Sequence, residues 1–301
     1  MPHVEVVNVF TSSSGGGNPA PIVIQADGLA EAEMLAIAKS YGHESGFVFA
    51  PDHADLNDFH FRFFVPRHEM SMCGHATIGA LWLLARHGKL SANRLSIQTM
   101  SGTVMACLEQ RPDGSTAIEI SQPSGTVAAI PHPQLRDDIL HAMGLRADDA
   151  LDLPFLNAST SRVKTLIPLK SPAVLDAARP DSAAIEKLCE EIGSTGLYPF
   201  AVDANRSRTF DARQFPKSSG YPEDAATGIA AAALTFGLLH YGMIALDATP
   251  VLIHQGRAMG QPSDIFVRFD LASELSSQPV GCFVGGTVAL AENVQPGGSH
   301  G

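Results

Sequence analysis

The chain has 301 residues, of which 45% are hydrophobic and 17% charged, enough apolar material for about two packed domains and too little charge for wholesale disorder. Its 20 basic and 31 acidic residues leave a formal charge of −11, which disfavours an electrostatic nucleic-acid binder, since such proteins present a basic face. Cys73, Cys107, Cys189 and Cys282 are scattered without a C-x-x-C pair, so neither a disulfide framework nor a thiolate-built zinc site is expected, and free thiols fit a cytoplasmic setting.

The first residues, MPHVEVVNVF, lack the basic-then-apolar order of a signal peptide. Residues 4–10 and 21–25 alternate as strands, with Gly15-Gly16-Gly17 between them. A dinucleotide loop would need its glycines to open a helix; here Asn18-Pro19 and another strand follow, so that reading fails. Gly15–Gly17 then form a close-approach turn, from which Asn18 can point into a site. Residues 28–40 have helical spacing, and 46–50 and 59–65 read as strands. Further on, 122–134, with three prolines and a glycine, reads as the linker between domains, and 135–143 and 181–192 as amphipathic helices. Residues 228–246 carry no Asp, Glu, Lys or Arg. The run is alanine-rich, holds three glycines and a His, and has no basic or aromatic flanks, so it predicts a buried helix of a soluble protein and no membrane partner. The tail from Gln295 is expected to be disordered.

An internal repeat organises these elements. FRFFVPRHEMSMCGHATIGALWLLARHG (61–88) aligns with DARQFPKSSGYPEDAATGIAAAALTFGL (211–238) at an offset of 150. Pro66 falls on Pro216, Ala76 on Ala226, Thr77 on Thr227, Ala80 on Ala230 and Leu84 on Leu234. Each copy runs from an aromatic-containing strand through a proline turn into an apolar helix, then into strands that turn at Ser101-Gly102 or Gln255-Gly256. The chain therefore predicts an α+β protein of two similar domains, 1–125 and 126–294, the last strand being free to cross back to the first domain and 295–301 forming the tail. Two such domains facing each other would leave a cleft suited to a small molecule.

Three polar motifs carry chemistry, two of them at corresponding places of the repeat. His43-Glu44-Ser45-Gly46-Phe47 matches H-E-x-x-H only in its first half, so metalloprotease chemistry fails on ligand count. What remains is a carboxylate between a helix and an apolar strand. It is either a surface Glu or, if partly desolvated, a proton shuttle. Cys73-Gly74-His75 begins the first apolar helix, where unpaired amides and the helix dipole could hold a carboxylate or growing oxyanion. His75 is either a core His or a proton carrier, and Cys73 either an inert thiol or a base. Asp224 precedes the second apolar helix, as a helix cap or as a wall of the same anionic pocket.

At these residues the sequence resembles the PhzF-like family of phenazine-biosynthesis isomerases, within the diaminopimelate epimerase-like superfamily. The resemblance rests on Phe10 with GNPAPIVI (17–24), HESGFVF (43–49), RFFVPRHEMSMCGHATIGA (62–80), ARQFP (212–216) and EDAATG (223–228). It implies two domains, each a β-barrel-like sheet wrapped round a central helix, with the active site in the interdomain cleft. It implies Glu44 as the general acid/base, His75 and Asp224 as its polar partners, and substrate contacts at Gly74, Gly228 and Ile229. It implies catalysis without cofactor or metal, and a homodimer. The member that names the family isomerises trans-2,3-dihydro-3-hydroxyanthranilate by moving a ring proton between carbons. Ile229 replaces a small polar residue of that member, Ala225 replaces the usual proline, and CGHAT belongs to the family's broader branch, which leaves that acid and a related cyclic acid both open as the substrate.

Three functions stay open. The first is a cofactor-independent isomerase of a small carboxylic acid. The second is an amino-acid epimerase or racemase using Cys73. The related epimerases place one cysteine at each helix start; here the repeat mate of Cys73 is Glu223, which leaves a mixed Cys73/Glu pair as the form such chemistry would take. The third is a non-catalytic small-acid binder.

Overall fold

The computed structural model describes residues 2–12, 15–111, 116–202, 206–218, 221–273 and 275–291. The chain divides into two compact units, Met1–Ser121 with Gly285–Gly301, and Gln122–Val284. The predicted tail, 295–301, lies outside the described residues.

In the first unit, β1 (Glu5–Val9) and β2 (Asn18–Val23) pair antiparallel, with Val9 opposite Asn18. Phe10 leaves β1 fully buried at a φ of 64°, an uncommon conformation for a bulky residue, and Gly17 follows at 92°. A side chain at Gly17 would stand 2.8 Å from the Val9 carbonyl, so the backbone approach that the glycine run predicted is present. Helix α1 (Glu31–Tyr41) starts with the Glu33 carboxylate accepting from the Ala30 N–H at 2.8 Å and stops at Gly42, which adopts a φ of 72°. Next come β3 (Ser45–Phe49), parallel to β2, β4 (Phe59–Val65), antiparallel to β3, and β5 (His68–Met70), hairpinned to β4.

Helix α2 (Gly74–Arg86) follows, then β6 (Arg94–Thr99) parallel to β4, β7 (Gly102–Gln110) antiparallel to β6, and β8 (Thr116–Pro123) antiparallel to β7. His75 to Leu81 are all buried, because α2 packs on β1, β2 and β3. Gly79 makes that approach possible: a Cβ there would lie 2.7 Å from Val7 Cγ2.

The second unit opens with β9 (Thr126–Ala129) and α3 (Arg136–His141). The predicted linker 122–134 is thus partly a strand, paired antiparallel to β10 (Leu156–Ser159). Its prolines flank a β-prone Thr-Val pair without interrupting it. β11 (Val163–Leu169), α4 (Pro172–Ala177), α5 (Ser182–Glu191) and β12 (Gly196–Val202) follow, with β10 and β11 antiparallel and β11 and β12 parallel. One sheet face packs on α3, α4 and α5 through Ile139, Leu175, Ile185, Ile167 and Leu197.

β13 (Thr209–Ala212) and β14 (Phe215–Pro216) both pair antiparallel with β12, and α6 (Gly228–His240) follows with Ala230 to Leu238 buried. β15 (Val251–Gln255) runs parallel to β13, β16 (Ser263–Asp270) antiparallel to β15, and β17 (Gly281–Gly286) ends the unit. β18 (Val288–Leu290) pairs with β1 of the first unit. The apolar run 228–246 breaks at Gly242, whose φ is 69°, and among the described residues no helix is long and apolar enough to cross a membrane.

The repeat is visible in the topology. A strand, a short strand, a buried helix, a strand parallel to the first and an antiparallel follower occur as β4-β5-α2-β6-β7 and as β13-β14-α6-β15-β16.

Candidate active site

In the first unit, α1 ends three residues before Glu44, and β3 begins directly after it. Gly46 lets β3 lie against α2, since a Cβ there would stand 2.9 Å from Ile22 Cδ1 and 3.4 Å from Ala76 Cβ. This close approach carries Glu44 to the start of α2. Cys73 is the helix N-cap, but its side chain caps nothing. Its thiol instead donates to Glu44 Oε2 at 3.0 Å and stands 3.5 Å from His75 Nδ1, which lies 3.7 Å from the same carboxylate oxygen. Cys73 and His75 are 3% and 8% exposed, and the Glu44 side chain 29%. The carboxylate is therefore half-sheltered on a buried base. His75 Nε2 is buried with no hydrogen-bond partner among the described residues.

No acidic residue occupies the first turn of α2, so the amides and dipole at that end stay available to an anion. The carboxylate, thiol and imidazole ligand atoms lie within 4.8 Å of one another, a mixed donor set that could hold a divalent ion such as zinc with an open position. The set joins one thiol to groups from two separate segments, so the spacing of the cysteines does not display it.

In the second unit, Asp224 bridges to Gln214, its N–H donating to the Gln214 carbonyl at 3.1 Å. The N-cap of α6 is Thr227, and Asp224 accepts from the Thr227 hydroxyl, so Asp224 does not itself cap the helix. Gln255 ties the loop together. Its Nε2 donates to the Asp224 carbonyl at 2.7 Å and to Thr227 Oγ1 at 3.2 Å; its Oε1 accepts from the Thr227 N–H at 3.3 Å and the Tyr198 hydroxyl at 2.9 Å. Burial, with Asp224 adding to it, holds the Tyr198 phenol well above its ordinary range, so it stays a donor. Gly228 and Ile229 open α6, half-buried and again with no acid in the first turn. Asn18 opens β2 opposite Val9.

Glu223, the repeat mate of Cys73, is engaged elsewhere. Arg213 donates to both its oxygens at 2.8 and 2.7 Å, and the two side chains are 7% and 9% exposed. Arg213 also donates to the Leu175 and Ala178 carbonyls. Both oxygens of the Glu223 carboxylate are thus engaged by a buried guanidinium within the second unit.

Sequence reasoning missed Tyr198, Lys164 and the side chain of Gln255. Lys164 did leave a signal, a single cation opening the apolar run VKTLIPL. Tyr198 and Gln255 left none, since their partners are 57 residues apart in the chain.

A model of the family described as phenazine biosynthesis-like protein matches residues 7–292. A relative named "Uncharacterized isomerase YddE" from Escherichia coli (strain K12) is 32% identical over 295 residues, covering 96% of each chain. The trans-2,3-dihydro-3-hydroxyanthranilate isomerase of Pseudomonas chlororaphis is 29% identical over 272 residues, 89% of this chain and 90% of the relative. Among solved structures, a phenazine biosynthesis protein of the PhzF family from Bacillus anthracis superposes with a TM-score of 0.86 at 25% identity, covering 96% of each chain. A probable proline racemase from Agrobacterium radiobacter K84 shares the fold, with a TM-score of 0.62 at 12% identity over 96% of this chain and 90% of that one.

Proposed function

The chain belongs to the phenazine biosynthesis-like family and is an isomerase of the diaminopimelate epimerase-like fold; from that premise we propose that it moves a proton between two carbons of a small carboxylic acid without a cofactor, and that Glu44 carries the proton. The observation that supports this most is the contact of Glu44 Oε2 with the Cys73 thiol, beside His75 and the uncapped first turn of α2.

The chemistry follows from that arrangement. The Glu44 carboxylate takes a proton from carbon: one C–H bond breaks, one O–H bond forms, and the electron pair spreads into the conjugated acid. Glu44 then returns the proton to a different carbon, so the product is an isomer and no electron is gained or lost. The α2 amides stabilise the charge that grows between the two transfers. Cys73 orients the carboxylate, and His75 presents its partnerless Nε2 to a polar substituent. Asp224 and Ile229 are assigned to the same reaction through the family resemblance, Ile229 adding apolar bulk that favours an acid other than the phenazine precursor.

The test is Glu44→Gln, assayed with trans-2,3-dihydro-3-hydroxyanthranilate and related cyclic acids by proton NMR in deuterated water. Turnover should fall at least ~10²-fold while binding persists, as expected for loss of a general acid–base group. Near-full turnover refutes the mechanism.

A one-centre epimerase using Cys73 is the second reading, favoured by the thiol's contact with both Glu44 and His75. Deuterium entering at the carbon that lost hydrogen, together with inactivity of Cys73→Ala, would select it. Entry at another carbon, with Cys73→Ala still active, selects the isomerase.

A further inference from the structure

Within the second unit, a cation and an amide are buried on one face of the sheet. Lys164, the second residue of β11, is 5% exposed. Among the described residues it forms no ion pair. Gln214 is 1% exposed, and neither its Nε2 nor its Oε1 has a hydrogen-bond partner among the described residues. Burying an amide unsatisfied is costly, and so is drawing an ammonium out of water, which is the reason to ask what they serve.

The strand register places them together. Thr165 pairs with Leu197, so one step back Lys164 lies beside Gly196, and the Thr195 N–H donates to the Val163 carbonyl at 2.9 Å as that register requires. Paired residues of neighbouring strands share a face. Gly196 leaves that face open, and Gln214 fills the opening: a Cβ on Gly196 would stand 2.3 Å from Gln214 Nε2. Two residues along each strand, Leu166 reaches within 2.1 Å of where a Gly237 Cβ would be, so the face looks at α6. Tyr198, also on this face, connects through Gln255 to the Thr227 N–H at the start of α6. Lys164 and the Gln214 amide therefore share one buried face of the sheet, and Tyr198 on that face is tied through Gln255 to the start of α6.

We propose that Lys164, Gln214 and the first turn of α6 form a carboxylate-binding subsite, which anchors the acid group of a small ligand. It rests on the reading that the ligand is a small carboxylic acid. The ammonium supplies the opposite charge, the Gln214 amide a directional donor, and the α6 amides complete the cradle. Burial pushes the Lys164 ammonium down to about 8 in the free protein; Asp224 pulls it up, Arg162 pushes it down and Cys189 pulls it up. A bound anion would raise it, so affinity must depend on the protonation of Lys164. The charged and titratable groups around it are Asp224 ahead of α6, Arg162 ahead of β11, Cys189 on α5 and the Tyr198 phenol on β12.

The probe is benzoate, with benzamide as its neutral counterpart, titrated calorimetrically into the full chain. Benzoate should bind at pH 7 in clear preference to benzamide, and its affinity should fall about tenfold per unit well above pH 8 as the ammonium is lost. Lys164→Met should weaken benzoate at least ~10-fold and flatten that profile; Gln214→Leu should weaken it several-fold, and it decides the matter if Lys164→Met does not fold. Wild-type affinity and pH profile in Lys164→Met overturn the subsite, as does a wild-type protein that does not prefer benzoate. A lysine that only balances Asp224 would leave benzoate binding untouched. Glu44→Gln should bind benzoate like wild type, so full turnover in that variant would refute the proton carrier and leave the subsite standing.

Discussion

Lys164→Met also measures what the buried ammonium costs the fold. An unfolded lysine titrates near 10.5, whereas Lys164 in the folded chain titrates at about 8. Between those values the unfolded chain holds the proton and the folded chain does not. Stability therefore climbs as pH rises from about 8 to 10.5, and that increment is missing at neutral pH. At 1.36 kcal/mol per unit, the deficit at pH 7 is roughly 3 kcal/mol. Methionine keeps most of the apolar length and removes the charge. Urea unfolding at pH 7 should find the variant more stable by about 2–3 kcal/mol, in line with replacing buried charge by apolar volume. The gap should close toward pH 10.5. The Cys282 thiol, which burial pushes up to about 12, is present in both proteins and largely cancels; the Cys189 thiol, pushed up to about 11 by burial, is lowered by Lys164 and so titrates higher in the variant. A gap that is independent of pH, or a variant less stable at pH 7, refutes a costly buried cation.

Arg213→Leu strands the Glu223 carboxylate and should cost about 3–5 kcal/mol in urea unfolding, whereas Arg213→Met with Glu223→Leu should cost clearly less; equal costs would show that the pair is not coupled. Zinc at micromolar concentration should inhibit turnover reversibly through Glu44, Cys73 and His75, with chelator restoring activity and Cys73→Ser weakening the inhibition; indifference of Cys73→Ser shows that zinc acts elsewhere. The Asp264 carboxylate, 2.7 Å from His254 Nδ1, holds that imidazole above its ordinary value of 6.5. Its contribution is complete below 6.5 and is lost as pH rises through the higher folded value, so the stability gap between wild type and His254→Gln should be larger at pH 5.5 than at pH 9. A gap that grows with pH would contradict the pairing.

The candidate site was legible in the sequence in proportion to how local its parts are. Glu44, Cys73 and His75 stood out because each borders an apolar element, and the chain does bring them into contact. Their contact depends on Gly46 and Ala76 meeting across β3 and α2, a tertiary fact that no spacing displays. Asp224 was legible as a residue at a helix start, but its part was not: Thr227 takes the cap and Asp224 accepts from it. Glu223 looked like the counterpart of Cys73 until Arg213, ten residues away in the chain, claimed both its oxygens. The stretch 122–134 starts at the boundary between the two units, yet part of it is a strand for a related reason. Its prolines are real turn signals, but strand pairing with β10 overrides them at Thr126–Ala129.

What the sequence determined by itself is the duplicated plan: apolar periodicity, proline turns and helix starts are encoded within each 30-residue stretch, and the repeat shows them twice. What only the tertiary structure decided is which polar groups are satisfied and which are held in reserve. Tyr198 and Gln255 bond to each other across 57 residues of chain, Gln214 is buried without a hydrogen-bond partner among the described residues, and Lys164 is 5% exposed; burial makes the loss of water at each of them expensive. That cost depends on neighbours in space and not on neighbours in sequence, so only the folded chain sets it.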